Sequence, residues 1–285
     1  MTADHLMELG SAKIQHGPHN DRVYLMSMGS ESPECCLKAV KALAKQHGYS
    51  KIIAKIPPSA YSVFEKARFR PEARVPGLLR GRDPAYFMAR FLSESRSQES
   101  EPERVRDVLH RALEAAKCPS RDALSPSYRW KIGAPKDANQ MADLYRRVFA
   151  SYPFPIWDVN YLIKTMKDNV VYFGIWLEDE LVAVAASEID WESQCAELTD
   201  FACCPDHRGQ GLARFLLTQM EAYLTARDLP TAFTIARSRS YGMNIVFASS
   251  NYQYAGTLYN NTQIAGRMES MNVWYKSLQS HRICP

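Results

Sequence analysis

The run Cys203-Cys204-Pro205-Asp206-His207-Arg208-Gly209-Gln210-Gly211-Leu212-Ala213 carries the densest chemistry in the chain. It reads as a strand end, a tight loop and a helix start. Gly209 and Gly211 let main chain approach a ligand with no β-carbon in the way. A helix beginning near Gln210 aims unpaired N–H groups and its positive dipole end into that loop. Amides of Gly209, Gln210, Gly211, Leu212 and Ala213, with the charge of Arg208, form a cradle for a pyrophosphate. The plainer reading is an ordinary strand-to-helix turn. Upstream on the same strand lie two carboxylates, Glu197 and Asp200. A carboxylate there can take a proton from a bound ligand. Strict alternation sends Glu197 and Asp200 to opposite faces; a bulge would bring them together.

The elements around this loop follow from periodicity. Residues 128–132 read as a strand, and 138–149 and 159–166 as helices, with the proline-broken SYPFPIW between them. Strands over 170–177 and 181–189 flank the polar turn Glu178-Asp179-Glu180 as a hairpin. A strand over 196–203 enters the loop. The helix after it spaces Leu212, Phe215, Leu216, Met220, Tyr223 and Leu224 along one face. A strand at 232–236, a short helix at 241–249 and strands near 252–259 and 268–275 close the order. The result is a mixed α/β sheet.

Ahead of it, SESRSQESEPE (93–103) reads as a linker or exposed loop. An amphipathic helix with Val105, Val108, Leu109, Ala112, Leu113 and Ala116 on one stripe follows, ended by Pro119, Ser120 and Pro126. The expected domains are 1–93, a linker and helix over 94–126, and 127–285. The first repeats part of the last. From Ala54, AKIPPSAYSVFEKARFRPEA parallels TIARSRSYGMNIVFASSNYQYAG from Thr234, matching Phe64 to Phe247 and Arg68-Phe69 to Asn251-Tyr252. The copy has Glu31 and Pro33 where a phosphate site needs free amides, so it is expected to bind no cofactor.

At 285 residues with a net charge of +4, the chain suits two modest domains and gives no sign of a nucleic-acid partner. Its seven cysteines, Cys35, Cys36, Cys118, Cys195, Cys203, Cys204 and Cys284, are odd in number and lack a Cys-x-x-Cys spacing. That pattern predicts reduced thiols and no metal site. No apolar run is long enough to span a membrane, and a cytoplasmic location is expected.

The element order, with Arg208, Gly211 and Ala213 matching the pattern Arg/Gln-x-x-Gly-x-Gly/Ala, resembles the GNAT acyl-CoA N-acyltransferase fold over 128–276. A closer resemblance covers nearly the whole chain. IQHGPHNDRVYLM, FEKARFRPEARVPG, YGMNIVF and AGTLYNNTQIAGRMESMNVWYK are similar to the bacterial and archaeal β-lysine N-acetyltransferases. That resemblance implies a catalytic GNAT domain preceded by a smaller degenerate GNAT-like domain. It implies transfer from acetyl-CoA to the ε-amine of β-lysine by direct attack in a ternary complex, giving a compatible solute.

Under this resemblance the cradle takes the CoA pyrophosphate. Phe201, Ala202 and Cys203 run beside the pantetheine arm, where their amides could hold an oxyanion, and Asn244 and Phe247 complete the cofactor site. Glu197 is the expected base, with Asp200 as its competitor. Phe247 stands where many members have an acidic tyrosine. Either Tyr241 or Tyr252 then protonates the thiolate, or it leaves unaided. Arg237 and Arg239 are the candidate fork for a substrate carboxylate. Glu269, Asn260, Asn261 and Asn272 would read an ammonium and fix the chain, and Tyr152 and Phe154 would cover the aliphatic middle. His207 reads as a loop residue, and Cys203 and Cys204 as packing residues. A homodimer is compatible with this reading. The rivals are another small amine as acceptor (α-lysine, a polyamine, an aminoglycoside) and a non-catalytic acyl-CoA sensor.

Overall fold

The computed structural model describes residues 4–117 and 124–279. Cys118, Pro119, Ser120 and Cys284 lie outside them. The amino-terminal half runs β1 (His5–Leu9), β2 (Ala12–Gly17), β3 (Arg22–Ser27), α1 (Pro33–His47), β4 (Lys51–Ile56), α2 (Tyr61–Lys66), β5 (Arg70–Leu79) and β6 (Asp83–Phe91). Two helices, α3 (Glu94–Ser97) and α4 (Pro102–Ala115), lead to β7 (Tyr128–Ile132), α5 (Ala138–Val148), α6 (Val159–Asp168), β8 (Val170–Leu177) and β9 (Glu180–Asp190). The chain ends with β10 (Cys195–Cys203), α7 (Leu212–Thr225), β11 (Thr231–Arg237), α8 (Tyr241–Ser249), β12 (Gln253–Ile264) and β13 (Arg267–Ser277).

All thirteen strands join one sheet, in the order β1-β2-β3-β4-β6-β5-β12-β13-β11-β10-β9-β8-β7. The order reads outward in mirror image from the β5–β12 junction: β5-β6-β4-β3 on one side, β12-β13-β11-β10 on the other. In each half the outer pair, β3–β4 or β10–β11, is parallel and is joined by a crossover helix, α1 or α7. The local geometry repeats too. Arg68 and Asn251 both adopt left-handed backbone, at φ 64° and 66°. Phe64 meets Phe69 edge-on at 5.1 Å, and Phe247 meets Tyr252 at 5.2 Å. At the junction Gly256 pairs with Ala73 at φ 143°, and a β-carbon there would lie 2.1 Å from the Glu72 carbonyl oxygen. Only glycine lets the two halves meet this closely.

The halves also share a core. Tyr24, Ile53 and Phe87 pack with Cys195, Phe233 and Val273, so the sheet folds over on itself. Polar contacts lock the seam: fully buried Lys51 pairs with Glu72 at 2.8 Å and donates to the Tyr259 carbonyl at 2.6 Å. The segment expected to be an exposed linker is part of this seam. Arg96 is buried, donating to the carbonyls of Asn260 and Asn20, and Glu99 is buried against Arg239. Arg96 and Glu99 are answered by polar partners across the seam, while Ser93, Glu94, Ser95, Gln98 and Ser100 face water as expected.

Candidate active site

Glu197 lies on β10 beside Phe233 of β11, and directly opposite Glu188 of β9. Residues opposite one another in an antiparallel pair share a face, so these two carboxylates are neighbours. Tyr172 of β8 shares that face by register; the other face carries Phe173 against Tyr223 of α7. The site is therefore built on the side of the sheet away from α7.

The strand then breaks its alternation. Register shifts between Thr199 and Ala202, and Asp200 takes φ 57°. This bulge turns the Asp200 carboxylate onto the side where Tyr152 donates to it, with Thr199 Oγ1 at 3.1 Å. Glu197 and Asp200 thus join one cluster with Glu188. Removal from water, reinforced by Glu188, pushes Glu197 up to about 8. Burial raises Asp200 to about 6 against the opposing bonds from Tyr152 and Thr199. Glu188 is raised by burial, with Lys55 and Lys13 pulling the other way. Carboxylates this close share protons and attract a cation. Tyr152, Tyr161 and Tyr172 ring Asp200, and their own hydroxyls are raised by burial and then by its charge.

Past this cluster the parallel pair opens. β10 and β11 pair only from Cys195↔Thr231 to Glu197↔Phe233, with one further bond from Thr234 Oγ1 to the Leu198 carbonyl at 2.6 Å. Ala202 and Cys203 pair with β9 on their other edge. The edge of β10 facing β11 is left open for an extended ligand, which can add to it as a strand would.

The wedge leads to the glycine loop. Gly209 and Gly211 sit at φ 77° and 74°, which keeps Arg208–Gly211 out of the helix and starts α7 at Leu212, two residues later than the spacing suggests. No side chain caps the first amides of α7. The equivalent helix of the other half is capped: Ser32 accepts from the Cys35 amide, with Pro33 and Glu34 in the first turn. A β-carbon at Gly209 would meet nothing within 4 Å. The corner at α7 is open and uncapped, and it fits a pyrophosphate. Tyr128 braces it from β7, donating to Gln210 Oε1 at 2.7 Å and bonding His207 Nδ1 at 2.9 Å.

Other candidates have different surroundings. Arg239 is buried against Glu99 and Glu101, and Arg237 forks onto Glu269 at 2.9 and 2.6 Å, so both guanidiniums and the Glu269 carboxylate are already neutralised. Asn260 donates to the Arg96 and Gln98 carbonyls. Asn272 donates to Asn244, whose Oδ1 also accepts from Trp274 and whose amide holds the Arg237 and Ser240 carbonyls. Tyr241 donates to Asp107 of α4, and Tyr252 faces Glu221 and Lys276. Phe247 is buried edge-on to Phe201, and Phe154 packs on the main core. Asn261 offers its carbonyl to Arg22 and keeps an unpartnered Oδ1. Sequence reasoning missed Glu188, Lys55, Tyr24 and Tyr161. Glu188 was not legible, because the hairpin at Glu178-Asp179 sets it opposite Val170, and only the separate register of β9 against β10 brings it opposite Glu197.

A strand pair that splays beside an acid cluster and runs into an uncapped helix defines an acyl-CoA-dependent transferase. The GNAT acetyltransferase family profile matches residues 138–241. The chain belongs to that family; it is an N-acetyltransferase and its co-substrate is acetyl-CoA. It is 36% identical to the β-lysine N6-acetyltransferase of Methanococcus maripaludis, over 95% of this chain and 98% of that one. It is 34% identical to the N-acetyltransferase YodP of Bacillus subtilis, over 94% and 96%. The β-lysine N6-acetyltransferase of Methanosarcina mazei is 28% identical, over 84% and 96%.

Proposed function

We propose that the enzyme transfers the acetyl group of acetyl-CoA to the ε-amine of β-lysine. The observation that carries this reading is the 36% identity to a β-lysine N6-acetyltransferase through both halves, including the one without a glycine loop. The acid cluster supports it, because an acceptor with two ammonium groups is drawn to Glu188, Glu197 and Asp200.

In this reading the amides from Gly209 to Ala213 and Arg208 hold the pyrophosphate, and the open edge of β10 aligns the pantetheine arm. Glu197 takes the proton of the ε-ammonium, directly or through a water. Its raised pKa brings proton donor and acceptor closer together. Asp200, oriented by Tyr152, holds the amine while it attacks. Burial pushes the Cys203 thiol up to about 11, which disfavours an acetyl-cysteine intermediate and favours direct attack. Phe247 has no proton to give, so the CoA thiolate leaves unaided. The product loses one ammonium charge and becomes a zwitterion of zero net charge, as suits a compatible solute. We assign the enzyme to the cytoplasm.

Thiol release from acetyl-CoA, measured across β-lysine, α-lysine, 1,5-diaminopentane and an aminoglycoside, tests the reading. The highest kcat/KM is expected for β-lysine. A higher value for any other amine overturns the substrate assignment.

A further inference from the structure

We propose that the amino-terminal half completes the acceptor site, with Arg22 and Lys55 receiving the carboxylate of the acceptor amino acid. The inference rests on the substrate class proposed above and adds the residues that read its acidic end.

The fold-over of the sheet sets the geometry. Lys55 of β4 places its Nζ 5.6 Å from the Phe233 ring, and Phe233 is the neighbour of Glu197 across the parallel pair. Arg22 of β3 lies with its Cζ 5.4 Å from the ring of Tyr24 on the same strand. Tyr24 in turn belongs to the core shared with Phe233. The cleft is therefore polarised: cations on the wall from the amino-terminal half, carboxylates on the floor from β9 and β10. An acceptor with its reactive ammonium at one end and a carboxylate at the other matches that polarity in one orientation only, with its reactive amine toward Glu197.

Arg22 is the more telling residue. Three arginines are buried among the described residues: Arg22, Arg96 and Arg239. Arg96 has Asp21 and Arg239 has Glu99 as ion-pair partners. Arg22, 4% exposed, has no carboxylate within ion-pair distance among the described residues. It donates only to neutral oxygens, on Asn261, Thr262 and Gln15. Its Nε is buried without a partner, as are Gln15 Nε2 and Asn261 Oδ1 beside it. Asp4 and Glu197 act on it only from beyond ion-pair distance. A buried guanidinium with no carboxylate in contact costs stability, and a bound carboxylate removes that cost. The two orphaned donors suit a carboxylate, and the orphaned acceptor suits the ammonium on the β-carbon, two carbons from the carboxyl. Lys55, half-buried, makes no hydrogen bond or ion pair among the described residues; its charge is felt by Glu188 and Glu197, and its three N–H donors remain open to the same anion.

The test compares Arg22→Gln and Lys55→Met with wild type, using β-lysine and 1,5-diaminopentane as acceptors. The readout is the ratio of their kcat/KM values. Each variant is expected to lower that ratio by about 30-fold or more, the scale of a lost charge-assisted hydrogen bond, mainly through KM for β-lysine. Lys55→Arg is expected to keep most of it. An unchanged ratio, or an equal loss on both amines, overturns the inference. Should Arg22→Gln fail to fold, Lys55→Met decides, because the Lys55 side chain makes no hydrogen bond or ion pair among the described residues. Wild-type enzyme without β-lysine turnover would instead overturn the functional reading, a separate result.

Discussion

Glu197 and Glu188 face each other across an antiparallel pair, an arrangement that sheets ordinarily avoid because like charges repel there. Burial first, and then this repulsion, raises the pKa of Glu197, with consequences for both rate and stability. With Glu197 as the proposed base, activity needs its carboxylate ionised, so kcat/KM for the amine is expected to rise with pH between about 6 and about 8, where burial pushes Asp200 and Glu197. A flat profile over that window contradicts the assignment. Stability runs the other way. Glu197 holds its proton to about 8 when folded, against 4.5 unfolded, so the folded state binds more protons between those values. Its contribution is fully present below 4.5 and is lost as pH rises through 8. Glu197→Gln should therefore raise the melting temperature at pH 8, by about 2–6 °C, and change it little at pH 4.5. A lower melting temperature at pH 8 contradicts the buried, protonated carboxylate. Glu197 and Asp200 could be singled out from residue type and distance to the loop. Their partners could not, since Lys55 lies 142 positions from Glu197 along the chain (197 − 55).

At the scale of elements, the bulge in β10 and the uncapped start of α7 position the chemistry. Asp200 holds left-handed backbone at φ 57°, which asparagine also tolerates. Asp200→Asn should keep the fold and acetyl-CoA binding while lowering kcat/KM about 10- to 100-fold, because only the charge is removed. An unchanged rate, or loss of coenzyme binding by calorimetry, contradicts its placement beside the amine. Gly211→Val puts a β-branched side chain at φ 74°, at the mouth of the phosphate cradle. The expected result is weaker acetyl-CoA binding, by tenfold or more, with a smaller effect on amine KM. The strand–loop–helix was legible because glycines at that spacing have few other uses. The bulge was not, because it depends on how β10 registers against β9, and no single residue announces it. Arg237 and Arg239 looked available because sequence does not show which carboxylates, 32 and 140 positions away, neutralise them.

At the scale of the molecule, the halves share one sheet, one core and a buried seam, so they should unfold together. Calorimetry is expected to show a single transition, and two separated transitions would contradict a common core. Lys51→Met leaves Glu72 buried without its counter-charge and should cost about 3–5 kcal/mol, seen as a melting temperature lower by about 6–20 °C. A loss below 1 kcal/mol (an order-of-magnitude bound) would mean the seam carries little. The internal repeat was readable from Phe64 and Phe247 and the residues that follow them. That the copies meet edge to edge and fold over the acid cluster was not, since the contact depends on Gly256 approaching Ala73 across 183 positions (256 − 73). Proton removal by Glu197 is tested most directly by single-turnover acetyl transfer to β-lysine, with acetyl-CoA binding measured on the same samples. Glu197→Gln is predicted to bind the coenzyme as wild type does and to transfer acetyl 100- to 10,000-fold more slowly, the order of a lost general base. Transfer within about threefold of wild type, at equal coenzyme occupancy, would contradict it.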